Sequence, residues 1–224
     1  MSDKDPVSDA LIREVDEDLK RERAEKLWKA YGKYVISGAV ALVLGVAGYE
    51  AYSSWKIRQA QEGSLRFATA ASEAIRGRDD ASLAGLDGLS KESQTVYGPM
   101  AQLRKAGILA ARKDTDKAVQ SLEGAASSDL PALYREAARL QAALLQLDTA
   151  EPAKLAAQLD QLAAPGQPWR HSALELQALL ALRTGDKAKA LEIYTRLSDD
   201  VAAPQGLRAR AAEARQAIDS QGQG

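Results

Sequence analysis

No cysteine occurs in the 224-residue sequence, and there is a single histidine and a single phenylalanine. The first absence excludes disulfides, a thiolate nucleophile and cysteine-ligated zinc, and leaves the compartment open. With His171 as the one imidazole, there is no second histidine to share a metal or to divide acid and base roles. Its neighbours Trp169, Arg170 and Ser172 read as a helix start on the surface. Net charge is also missing: 30 Lys and Arg stand against 31 Asp and Glu, intermixed. No global field gathers phosphate backbones, so nucleic acid is not an expected partner. Aromatics make up 5% and no long β-branched run appears, which argues against sheet. Ala, Leu, Glu, Gln, Lys and Arg dominate, and their propensities favour helix. The expected fold class is all-α.

One apolar run stands out. From Tyr34 to Trp55 the only formal charge is Glu50, and Val35 to Tyr49 holds Val, Ile, Leu, Ala and Gly with one serine. A helix needs roughly 20 residues to cross the ~30 Å hydrocarbon layer, so 34–55 reads as a transmembrane helix. Trp28, Tyr31 and Tyr34 stand at one end and Tyr49, Tyr52 and Trp55 at the other, as interfacial anchors do. The long leader and the exit through Tyr49-Glu50-Ala51-Tyr52 do not match a cleaved signal, so the segment is expected to remain as an anchor. Lys20, Arg21, Arg23, Lys26, Lys29 and Lys33 precede the span, against Lys56, Arg58 and Arg66 after it, which puts the N-terminus in the cytoplasm. Within the span, Ser37, Ala41 and Gly45 recur every four residues and Gly48 follows three later, a face stripped of bulk on which another helix could pack.

Residues 1–33 form the expected cytoplasmic tail, partly helical. Ser8 or Asp9 is placed to cap a helix carrying Leu11, Ile12, Val15 and Leu19 on one stripe. Acids precede bases along it, an order that suits the helix dipole and a basic end resting on anionic lipid.

After the span the sequence alternates longer and shorter apolar-periodic segments, separated by Gly, Asp, Pro and Ser. The shorter ones share a pattern: Ser82, Leu86, Leu89; then Ala118, Leu122, Ala125; then Leu155, Leu159, Leu162; then Ala190, Tyr194, Leu197. The period of about 36 residues is close to the 34 of tetratricopeptide repeats. In the last unit Leu174, Ala178 and Ala181 precede a Gly185-Asp186 turn. Small Ala178 and Ala190 would let paired helices approach, Gly185 can take a positive φ, and Tyr194 would fill the gap to a neighbour. Gln177 departs from the motif, which carries a large apolar residue there. Expected helices run over 56–77, 80–90, 94–112, 115–126, 130–147, 151–163, 169–184 and 187–198, with a capping helix over 204–218. Residues 56–218 therefore read as a tetratricopeptide-like α-solenoid of about four helix pairs plus a cap, and 219–224 as a disordered tail.

Ser53-Ser54-Trp55-Lys56 matches the Ser-x-x-Lys pattern of penicillin-recognising enzymes. It lies at the membrane interface without either companion motif, so no catalytic role is assigned. Asp79-Asp80 and Asp199-Asp200 fall at helix junctions and are expected to cap them. No catalytic, cofactor or metal site and no small-molecule substrate is expected.

The leader Arg13 to Arg23, the stretch Leu27-Trp28-Lys29-Ala30-Tyr31-Gly32-Lys33-Tyr34, the immediate membrane helix and the divergent repeats together resemble the bacterial YfgM-like family. That resemblance implies an ancillary subunit of the Sec translocon: an inner-membrane protein whose periplasmic repeat domain associates with a chaperone or prolyl isomerase. It implies an adaptor holding chaperone or client where chains emerge. The alternative is an assembly or structural accessory of another inner-membrane complex, using the same repeat groove.

Overall fold

A computed structural model describes residues 6–92 and 95–221, with side chains described between Leu19 and Ser220. The described residues form nine α-helices and no strand: α1 Pro6–Ile75, α2 Asp79–Ser90, α3 Tyr97–Ala111, α4 Thr115–Ala126, α5 Ala132–Leu145, α6 Pro152–Leu162, α7 Arg170–Arg183, α8 Lys187–Asp199 and α9 Gln205–Gln221. The chain divides into two units, Met1–Arg58 and Gln59–Gly224.

Helix α1 is 70 residues long and belongs to both units. It already includes Pro6, so Ser8 and Asp9 lie inside the helix rather than ahead of it. Proline fits the first turn because its missing N–H would have no intrahelical partner there. The next proline is Pro99, so none interrupts the ladder between. In the first unit, α1 contains an 18-residue window of mean hydropathy 1.6, none of it buried, long and apolar enough to cross a membrane.

In the second unit, consecutive helices pack against one another from α2 to α9. Four cores follow the stack. Ala70, Leu86, Leu89 and Ala101 join α1, α2 and α3. Leu122 and Ala125 meet Ala106 and Ala138, while Ala118 is fully buried beside them in α4. Leu155, Leu159 and Leu162 meet Ala143, Ala173 and Leu176. Ala178, Ala190, Tyr194 and Leu197 share a core with Leu207 and Ala211 of α9. Helix α7 serves two of these cores from opposite sides, Ala173, Leu176 and Leu180 in one and Leu174, Ala178 and Ala181 in the other. Its buried residues fall on two faces because it packs against α5 and α6 on one side and α8 and α9 on the other.

The turns explain why the pairs form. Helices α1, α3 and α7 end on Gly77, Lys113 and Gly185, with φ of 75°, 62° and 81°. In each case the next N–H reaches back to the carbonyl of Glu73, Leu109 or Ala181. This is the Schellman arrangement, which satisfies carbonyls left open at a helix end. Helix α5 lacks such a residue. Its exit is held instead by Arg183 of the following pair, whose Nη1 and Nη2 donate to the carbonyls of Leu147 and Ala150 at 2.6 and 2.7 Å.

The far end differs from the sequence reading: α9 runs to Gln221, so Asp219, Ser220 and Gln221 are helical. Ser220 Oγ donates to the Ala217 carbonyl at 2.9 Å. Residues 222–224 lie outside the described residues.

Candidate functional site

The stack offers its hollows where even-numbered helices stand apart. Helices α5 and α7, and α7 and α9, touch directly, whereas α4 and α6 do not come into comparable contact. A hollow of about 340 Å³ lies between α4 and α6 with α5 beneath. Leu122, Ala142 and Leu162 form an apolar floor, and Gln146, Gln158 and Gln161 stand round it. Glu136 and Arg139, also lining it, pair at 2.6 Å. A glutamine amide both donates and accepts, so such a wall can match the main chain of an extended segment while the floor takes a side chain.

A second hollow, about 270 Å³, lies between α6 and α7 at the start of α8. Gln177, which departs from the repeat motif, stands in its wall and donates from Nε2 to Asp160 Oδ1 at 2.7 Å. The polar residue therefore joins two helices at the surface. Asp186 caps α8 by accepting from the Lys189 N–H at 3.0 Å, and Glu151 caps α6 by accepting from Ala153 and Lys154.

The repeat positions singled out in the sequence, Leu86, Leu89, Ala118, Leu122, Leu155, Leu159, Ala178, Ala190, Tyr194 and Leu197, are all buried. They form the cores beneath the hollows and do not line a single site. Burial raises the Tyr194 phenol above its ordinary pKa, and Glu175 adds to this.

In the first unit Ser37, Ala41, Gly45 and Gly48 are exposed, and a Cβ on Gly45 or Gly48 would meet nothing within 4 Å. Trp28, Tyr31, Tyr34, Tyr49, Tyr52 and Trp55 are exposed as well. Lys33 Nζ stands 5.0 Å over the Tyr34 ring and Lys56 Nζ 5.5 Å over that of Tyr52, so Lys56 of the Ser-x-x-Lys match lies on an aromatic face.

Two of the capping expectations change. Arg78, not Asp79, is the N-cap of α2 and makes no side-chain cap. Asp79 and Asp80 sit in the first turn, where the helix dipole favours them, and Asp80 pairs with Arg112 at 2.5 Å. Asp200 is the C-cap of α8. One of its oxygens accepts from the Ala202 N–H at 2.9 Å, and the other lies 3.1 Å from His171 Nε2 and 3.7 Å from Arg170 Nη1. The Ala202 N–H, then the His171 bond, hold the Asp200 carboxyl below its ordinary pKa. His171 is thus half-buried at a joint between α7 and the turn before α9. Among the described residues no group of three or more His, Cys, Asp or Glu is arranged to hold a metal.

Several close approaches carry no sign in the repeat pattern. A Cβ on Gly63 would come within 2.8 Å of the Tyr97 ring, and one on Gly85 within 3.0 Å of Ala70 Cβ. These glycines let α1 pack closely on its neighbours.

Tandem antiparallel helix pairs, with their cores repeated at one period along the chain, define a helical-repeat scaffold of the protein-interaction class. A family model described as a tetratricopeptide repeat-like domain matches residues 25–217, and the chain belongs to that family. No curated protein and no solved structure matches the chain.

Proposed function

We propose that the chain is a non-catalytic, single-pass membrane adaptor whose repeat domain holds partner proteins through the hollows between its even-numbered helices. The observation that carries this reading is the extent of the family match. It begins at Glu25, ahead of the apolar segment, and runs through the repeats, so the two halves belong to one family pattern. The span is 34–55, the six aromatic anchors sit at its ends, and 56–218 is the binding domain. The basic excess before the span orients the N-terminus to the cytoplasm and the repeats to the periplasm of a bacterial inner membrane. Ser37, Ala41, Gly45 and Gly48 form the face that meets another membrane helix.

The resemblance to the YfgM-like family favours Sec translocon subunits and a periplasmic chaperone or prolyl isomerase as partners. The second reading, an accessory of another inner-membrane complex, uses the same hollows. A photo-crosslinking residue at Gln158 or Gln161 in the full chain, with mass spectrometry from intact membranes, separates them. Translocon subunits or folding factors should dominate the adducts. Enrichment of a different complex would favour the second reading, and a Gln158 probe no more reactive than one at exposed Glu192 would remove the hollow from both.

A further inference from the structure

The two edges of the repeat stack differ in chemistry. Turns leading from an odd-numbered helix into its even-numbered partner are charged: 112–117 holds Arg112, Lys113, Asp114, Asp116 and Lys117, and 183–189 holds Arg183, Asp186, Lys187 and Lys189. At the opposite edge the two middle turns are poor in charge, while 91–96 carries Lys91 and Glu92 and 200–204 carries Asp200. Residues 127–131 carry Asp129 alone and 163–169 carry none. In their place stand Leu133 and Tyr134, 48% and 46% exposed, half-buried Trp169, and exposed Pro131 and Pro168. Val201, at the same edge one pair further on, is 86% exposed.

These residues are neighbours in space as well as in pattern. Trp169 Nε1 donates to the Leu133 carbonyl at 2.9 Å, which joins the starts of α5 and α7. Glu175 and Arg210, each five residues beyond the first residue of its helix, pair at 2.9 Å and join α7 to α9 in the same register. The chain enters the second unit at this edge too, because Gly63 of α1 lies against Tyr97 at the start of α3. Gln59, the first residue of the unit, follows Trp55 by four residues, at most about 14 Å of chain even when fully extended.

We infer that this aromatic and proline-rich edge rests on the lipid headgroup surface. The inference rests on the membrane-anchor reading and adds a second membrane contact made by the repeat domain itself. Tyrosine and tryptophan pair an apolar ring with a polar tip, the combination that favours the headgroup layer. The N-caps of α3, α5 and α7 make no side-chain cap at this edge; at the other, acids cap α6 and α8 while α2 and α4 have no side-chain cap. Uncapped N–H groups and positive dipole ends suit phosphate oxygens, and Pro131 presents no N–H to leave unpaired. The tether keeps the edge within reach of the bilayer, and the charged edge remains in water.

The test uses the full chain in phosphatidylcholine and phosphatidylglycerol vesicles, with and without lipid brominated high on the acyl chain. Three single-tryptophan versions report separately: Trp55 alone, Trp169 alone, and Ile75→Trp with the three natural tryptophans changed to phenylalanine. Ile75 is exposed and lies at the charged edge, next to Arg76 and Arg78. Bromine should quench Trp55 and Trp169 and spare the Ile75→Trp version. Adding Leu133→Asp and Tyr134→Asp to the Trp169 version should abolish its quenching with helicity unchanged, since both side chains are half exposed. Quenching of Trp55 with Trp169 no more affected than the Ile75→Trp version would overturn the inference and leave the anchor standing. An unquenched Trp55 would overturn both.

Discussion

A Cβ placed on Gly98 would lie 2.1 Å from the Glu92 carbonyl oxygen and 3.2 Å from that of Leu89, so the first turn of α3 crosses bare backbone at the end of α2. Gly98→Ala must drive those segments apart, and a loss of about 3 kcal/mol is expected. Urea unfolding of the full chain in detergent reads it, and a midpoint equal to the parent's would deny the close approach. Lys113 presents the opposite case. It holds a φ of 62° where α1 and α7 use glycine, a conformation that costs an L-residue roughly 1 to 2 kcal/mol. Lys113→Gly should recover part of that, about 0.5 to 1 kcal/mol after the added chain entropy of glycine, and a lowered melting temperature would contradict it. Neither position was legible in the sequence. A glycine inside a helix does not announce which backbone passes behind it, and a lysine before Asp114 gives no sign of the left-handed turn that Gly185 signalled openly.

The helices themselves were legible because each even-numbered one shows an apolar stripe at helical spacing, and the stripe is what the core takes up. Ser82, Leu86 and Leu89 show the rule and its limit: all three are buried, yet the Ser82 hydroxyl has no hydrogen-bond partner. The joints between pairs were hidden, since they rest on contacts one repeat apart such as Arg183 with the α5 exit. Arg183→Ala should cost about 1 to 2 kcal/mol, discounted for its exposure, and raise hydrogen exchange at residues 146–151 before other turns. Arg183→Lys should rescue little, because one ammonium does not reproduce a fork spanning two carbonyls. Exchange at 146–151 equal to the parent's would mean that the turn holds itself. For the last pair, Tyr194→Ala removes a ring from the core shared with Leu207 and Ala211, at a cost of about 3 kcal/mol. Its damage should appear in α9 before α2 and α3, because each pair is stabilised mainly by its neighbours. Uniform loss of protection along the stack would contradict that gradient.

Across the molecule, one period governs the second unit, while the first is marked by a single long unburied apolar window. Fold class and repeat number could be read from the sequence because periodicity alone decides them. The hollows could not, since Gln146, Gln158 and Gln161 come together only when α5 and α6 fold beside α4. The proposed function joins these features as a repeat scaffold anchored by one span with its N-terminal end in the cytoplasm. Protease added to cells with a permeabilised outer envelope tests that most directly, read with antibodies to each end of the full chain. The account predicts digestion of the segment after Trp55, with the residues before Lys33 protected until the inner membrane is opened. Protection of the repeats together with digestion before Lys33 would contradict it.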